Sequence, residues 1–173
     1  MDHQALANLL GNYGEFVGAI AVVATLAYLA IQIRHNTVAQ NAQSQRVISE
    51  GFRTVNLLLA RDRELLNVMS RGNKDFAALD EEEAMAFSNY TASFLRTYED
   101  AYSDHRRGVL EDSYWEARIG NLGAYVSQRG FQQWWDTPRV GTYVRNTAEM
   151  FRPEFANLVV KLMNRDEQTM AAD

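Results

Sequence analysis

The eighteen residues from Phe16 to Ile33 (FVGAIAVVATLAYLAIQI) carry no formally charged side chain, and this run constrains the chain more than any other feature. As an α-helix it spans about 27 Å, close to the hydrocarbon thickness of a thin bilayer. Gln32 is its one strongly polar member and lies at the far end, within reach of headgroups. Glu15 closes one edge, and Arg34 with His35 closes the other. Tyr13 and Tyr28 are candidate interfacial anchors. A transmembrane helix over residues 16–33 is expected, preceded by a short extracytoplasmic N-terminus over 1–15. A buried core helix can share this Ala-rich composition. A cleaved signal peptide fits less well, because residues 1–15 contain no Lys or Arg where a basic region belongs. Arg34, Arg46 and Arg53 follow the span while no Lys or Arg precedes it, which by the positive-inside rule places residues 34–173 in the cytoplasm.

A second pattern lies within the first. Gly14, Gly18, Ala21 and Thr25 recur at alternating spacings of four and three, and Tyr28 and Gln32 continue the stripe. Such spacing puts small residues on one helical face, where another helix can approach closely. Phe16, Ile20, Val23 and Ile31 lie mostly elsewhere and are expected to face lipid. Small residues are also simply common in membrane helices, so the stripe is either a packing seam or composition.

After Arg34 no proline or strong turn signal appears until Arg71-Gly72-Asn73, so the helix is expected to continue as a stalk over residues 34–60. Asn36 to Gln45 is polar and uncharged. Val47, Ile48, Phe52, Val55, Leu58 and Leu59 then return at the spacing of one buried face. A helical cytoplasmic domain over 61–164 and a frayed tail over 165–173 complete the expected layout. In that domain a short helix over Asp62 to Ser70 ends at Gly72. Asp80 and Glu83 form a capping-box pattern for a helix running to Arg106-Arg107, with Gly108 placed to cap it. Phe87, Tyr90, Phe94, Leu95, Tyr98 and Tyr102 give that helix an aromatic face. A further helix is predicted over Ser113 to Gln128, broken by Arg129-Gly130, then one turn through Phe131, Trp134 and Trp135. Thr137-Pro138 and Pro153 each suit a helix start. The fold class expected is all-α: one N-terminal transmembrane helix, a stalk, and a small cytoplasmic helical bundle.

Composition removes several functions. There is no cysteine, hence no disulfide, thiolate metal site or cysteine nucleophile. A formal net charge of −5 argues against a nucleic-acid surface, which needs clustered cations. With three histidines, His3, His35 and His105, a His-rich metal site is excluded. Asp100 and Asp104 share a helix face one turn apart and are the one arrangement suited to a cation, although a solvated surface explains them as well. Glu99 is followed three residues later by Tyr102 rather than histidine, so the Glu-x-x-His pattern of di-iron bundles is missing. No phosphate-binding glycine loop and no defensible nucleophile triad occurs. No cofactor and no catalytic residue is assigned.

Two groups stand out as a possible pocket or partner surface. Arg96 and Glu99 sit beside the aromatic face, either as a structural ion pair or as a recognition pair. Trp134 and Trp135 suit an interface anchor or, alternatively, the cap of the helical core.

The strings Gly14-Glu-Phe-Val-Gly-Ala-Ile20 and Tyr28-Leu-Ala-Ile-Gln-Ile-Arg-His-Asn-Thr37 resemble the opening of a family of small, uncharacterised bacterial single-span membrane proteins. Leu95-Arg-Thr-Tyr-Glu-Asp-Ala-Tyr102, Gly130-Phe-Gln-Gln-Trp-Trp135 and Arg152-Pro-Glu-Phe155 resemble that family's second half. The resemblance implies a bacterial inner-membrane protein with one span and a helical cytoplasmic domain. It implies no activity or cofactor.

Three functional readings follow. One is a self-assembling membrane scaffold, a homo-oligomer in the lipid bilayer built on the seam and stalk; in a variant of it, Thr25 and Gln32 line a narrow channel. Another is an accessory subunit that docks a different membrane protein through the seam and the Trp134–Trp135 region. The last is a ligand sensor or enzyme with an interhelical pocket lined by Arg96, Glu99 and aromatics.

Overall fold

The structure is a computed structural model that describes residues 3–138 and 146–170, with side chains over 14–138 and 146–164. Among the described residues the regular structure is entirely helical. Six α-helices run α1 (His3–Arg61), α2 (Arg63–Lys74), α3 (Glu81–Arg106), α4 (Asp112–Val126), α5 (Arg129–Asp136) and α6 (Pro153–Met170), with 3₁₀ turns at Phe76–Ala78 and Thr147–Met150. The chain divides into two compact units, residues 1–43 and 44–173.

The first unit is the leading part of α1. Among the described residues one helix is long and apolar enough to cross a membrane, and in its most apolar 18-residue stretch no side chain is buried. Phe16, Val17, Ile20, Val23, Leu26 and Ile33 are all more than half exposed.

The second unit begins with the last part of α1, so the expected stalk of residues 34–60 divides at Ser44. From there Ile48 and Val55 are buried, Phe52 packs edge-on against Tyr98 at 4.7 Å, and the Ser49 and Tyr114 hydroxyls share a hydrogen bond of 2.7 Å. Asp62 then caps α2, its carboxylate accepting from the Leu65 N–H at 2.9 Å.

α3 starts on a complete capping box: Asp80 accepts from the Glu83 N–H, and the Glu83 carboxylate accepts from the Asp80 N–H. It ends in a Schellman motif. Gly108 takes φ +70°, its N–H donates to His105 O, and the Val109 N–H donates to Asp104 O, both at 2.9 Å.

Two glycines read as helix ends lie inside helices. α2 continues through Gly72 to Lys74, and Gly130 is the second residue of α5. The reason is a crossing: a Cβ on Gly130 would fall inside van der Waals contact of the Gly72 carbonyl, and one on Gly72 would strike the Phe87 ring. α2 and α5 therefore touch backbone to backbone. α4 stops at Val126. α6 starts on Pro153 as expected, and its backbone stays helical to Met170, into the segment expected to fray. The helix expected to start at Thr137-Pro138 falls on residues 139–145, which lie outside the described residues; Thr137 itself ends α5.

The core is largely aromatic. Ring contacts connect Phe52, Tyr98, Phe94, Tyr125, Phe131, Trp135, Phe151, Phe155, Tyr102, Trp115 and His105 in an unbroken series. Leu95, Leu122, Val126 and Val159 fill the space between them.

Candidate functional site

The seam residues Gly14, Gly18, Ala21, Thr25, Tyr28 and Gln32 are all exposed on α1. Their polar side chains make two hydrogen bonds within the helix. The Thr25 hydroxyl donates to Ala21 O at 2.7 Å, and the Gln32 amide donates to the Tyr28 hydroxyl at 2.8 Å. A Cβ added at Gly14 or Gly18 meets nothing within 4 Å. The stripe is thus a shallow, open track, and nothing in the chain itself requires these two residues to be glycine.

Arg96 and Glu99 form a latch between α3 and the start of α6. Glu99 is buried, and its carboxylate accepts the Arg152 backbone N–H at 2.6 Å while pairing with the Arg96 guanidinium at 3.6 Å. Arg96 donates to Met150 O at 3.1 Å and lies over the Phe151 ring, 5.6 Å from its centroid. One carboxylate and one guanidinium thereby fix the backbone that leads into Pro153. The pair orders a chain crossing, a structural task.

Trp134 is fully enclosed and Trp135 is nearly so. The Trp134 indole N–H donates to Ser88 Oγ at 3.0 Å, its carbonyl accepts from the Thr147 hydroxyl, and Trp135 stacks on Phe151 at 5.9 Å. They complete the core and present almost no surface to a partner.

Asp100 and Asp104 do not converge on a cation. Asp100 is exposed, whereas Asp104 accepts from Ser44 and pairs with Arg107. Among the described residues no group of three or more metal-ligating side chains occurs.

Burial raises the pKa of three core phenols. Tyr90 and Tyr125 are pushed up, Tyr125 against an opposing hydrogen bond to Thr91, and Tyr98 is pushed up to about 12 despite the nearby Arg118 charge. These groups stay protonated at neutral pH and act as packing with a hydrogen-bonding tip.

Sequence reasoning missed a cavity of about 290 Å³ where the end of α3 meets the start of α6, lined by Arg106, Arg107 and Arg152. Arg106-Arg107 was legible only as charge suited to a helix C-terminus. The separation of 46 positions from Arg106 to Arg152 hides the convergence from any local pattern. No family model, no curated protein and no solved structure matches the chain, so the site is read from its own residues.

Proposed function

We propose that this protein is a membrane-anchored helical scaffold. Residues 16–33 cross a bacterial inner membrane once, residues 44–173 form a cytoplasmic helical domain, and copies associate through the α1 seam. The observation that carries the reading is the complete exposure of the apolar stretch of α1. A helix that docks on one partner is apolar along one face, whereas a helix surrounded by hydrocarbon is apolar all round. Phe16, Val17, Ile20, Val22, Val23, Leu26, Leu29, Ile31 and Ile33 cover every face except the small-residue stripe, and no face of residues 16–33 carries a formal charge, which favours lipid over a single protein groove.

The self-association step rests on the open track at Gly14 and Gly18. Between membrane helices small residues permit close backbone approach, and dispersion over that contact drives pairing. Thr25 spends its donor and Gln32 one of its two amide N–H groups inside the helix, so backbone packing carries more of the contact than side-chain hydrogen bonds do.

The test combines extraction and mass. Membranes from cells expressing the full chain are washed with alkaline carbonate, and the protein solubilised in mild detergent is weighed by native mass spectrometry. An anchored scaffold stays in the washed membrane and gives one homo-oligomer, which Gly18→Leu dissociates without altering the cytoplasmic unit. Release by carbonate refutes the anchor. A second protein at fixed ratio replaces self-assembly with an accessory-subunit role.

A further inference from the structure

The cavity between α3 and α6 has the chemistry of a phosphate site, and we propose that it binds a phosphate group, carried by a lipid headgroup or free in solution. Three guanidinium groups line it, with Ser103 between them and one lining carboxylate, Glu154. Two of the arginines are held in place: Arg152 donates to Ser103 Oγ, and Arg107 pairs with Asp104. The Arg106 side chain makes no ion pair or hydrogen bond with any described residue and is exposed. Guanidinium forks match phosphate oxygens bidentately, and a converging set of them is costly to assemble without an anion to neutralise it.

The backbone supplies an independent second feature. α6 begins at Pro153, which has no N–H, and the preceding residue is Arg152, whose side chain cannot accept a capping bond. The Arg152 N–H is taken by Glu99. The N–H groups of Glu154 and Phe155, both cavity-lining residues, have no partner among the described residues. An eighteen-residue helix therefore opens on the arginine-lined cavity with its first free donors uncapped, the arrangement that favours phosphate at helix starts. A volume of about 290 Å³ fits a phosphate with a few attached atoms, as in a headgroup or a small phosphorylated metabolite.

The source of the phosphate is what the experiment separates. The phosphate chemistry itself does not depend on the anchor reading.

The full chain in a phosphate-free maltoside detergent is titrated calorimetrically with inorganic phosphate and, separately, with dihexanoyl phosphatidic acid. The proposal expects saturable binding in the millimolar range or tighter (order of magnitude, ~1 mM). Arg106→Gln combined with Arg152→Gln is expected to weaken it at least about tenfold, and Glu154→Gln to tighten it by removing the one opposing charge. The Arg106 side chain has no partner among the described residues, the Arg152–Glu99 bond uses backbone, and the Arg152–Ser103 bond that is lost lies at an exposed side chain, so the double variant is expected to keep the fold, as its tryptophan fluorescence will verify. Binding of the short lipid about tenfold tighter than phosphate, lost in the double variant, assigns a headgroup. Equal affinities, both lost in the variant, assign a soluble phosphate. No binding of either probe, or binding that the arginine variant leaves unchanged, overturns the proposal. A protein that carbonate releases from membranes yet binds phosphate through these arginines would sink the anchor and keep this site.

Discussion

At the residue scale, the energetically exposed points are groups whose partners come from far along the chain. Glu99 is the clearest: it is buried, and it holds the Arg152 N–H and the Arg96 guanidinium together. A hydrogen bond to a charged acceptor contributes more than a neutral one, and losing it leaves a part-buried N–H unpaired. Glu99→Ala is expected to lower the stability of the second unit by about 2 kcal/mol. All three tryptophans lie in that unit, so their fluorescence during urea unfolding of the full chain in detergent reads the change directly. Hydrogen exchange should rise first around Met150 to Arg152. A shift under about 0.5 kcal/mol would mean that Glu99 is replaceable by solvent. Tyr98 supplies a pH-dependent counterpart. Its folded-state pKa is pushed up to about 12 by burial, above the ordinary 10.0 that the unfolded chain regains. Between those values the folded state holds a proton that the unfolded state has lost, so stability is full below pH 10 and falls as pH rises toward 12. The fall attributable to Tyr98 is about 2 kcal/mol. Tyr98→Phe keeps the ring against Phe52 and should flatten the alkaline loss, although Tyr125 shifts the same way and retains part of it. Equal slopes in both proteins between pH 9 and 11.5 would assign the loss elsewhere.

Elements whose ends are written locally were the readable ones. Asp80 with Glu83 at the start of α3, Gly108 at its end, and Pro153 at the start of α6 each act through neighbours within four residues, so the sequence displays the whole interaction. Gly72 and Gly130 show the opposite case. Read locally, a glycine in a polar stretch is a stop; here each is a point where α2 and α5 cross at backbone contact, and the reason for either lies 58 positions away in the other. Arg96 and Glu99 were legible as a pair because one turn separates them, but their shared target at 150–152 was not. Trp134 and Trp135 admitted a surface reading beside the favoured core one, because a tryptophan's letter does not say which side is wet. The crossing gives a sharp prediction. Gly130→Ala puts a methyl onto the Gly72 carbonyl and is expected to cost about 3 kcal/mol, since two helix backbones must separate to admit it. Gly120→Ala, on an open face of α4, meets nothing within 4 Å and should stabilise by about 0.5–1 kcal/mol through helix propensity alone. Both substitutions raise helix propensity, so urea unfolding of the two variants side by side isolates the contact. Similar effects from both would show that the helices do not touch at Gly72.

On the scale of the whole molecule, the division into residues 1–43 and 44–173 makes a claim about independence. The buried core opens at Ile48, and its hydrogen-bonded ties to α1 open at Ser44. No side chain described before Ser44 is buried, Asn41 being only partly covered, so removing residues 1–43 strips no core contact. What remains of α1, residues 44–61, is still anchored by Ile48, Phe52 and Val55 and by the Ser49–Tyr114 bond, with a new exposed start. A chain starting at Ser44 is therefore expected to fold without detergent, keep the near-ultraviolet dichroism of its packed tryptophans, and unfold within about 5 °C of the full-length protein, because a frayed helix end costs well under 1 kcal/mol. It should also sediment as a monomer if the α1 seam is the assembly contact, since every seam residue has been removed. Monomer with retained stability places assembly in the first unit. A folded oligomer moves the contact to the second unit and retires the seam. An unfolded or aggregated product would show that the first 43 residues stabilise the rest by contacts the two-unit division does not contain, and the scaffold reading would then need an anchor that is also part of the fold.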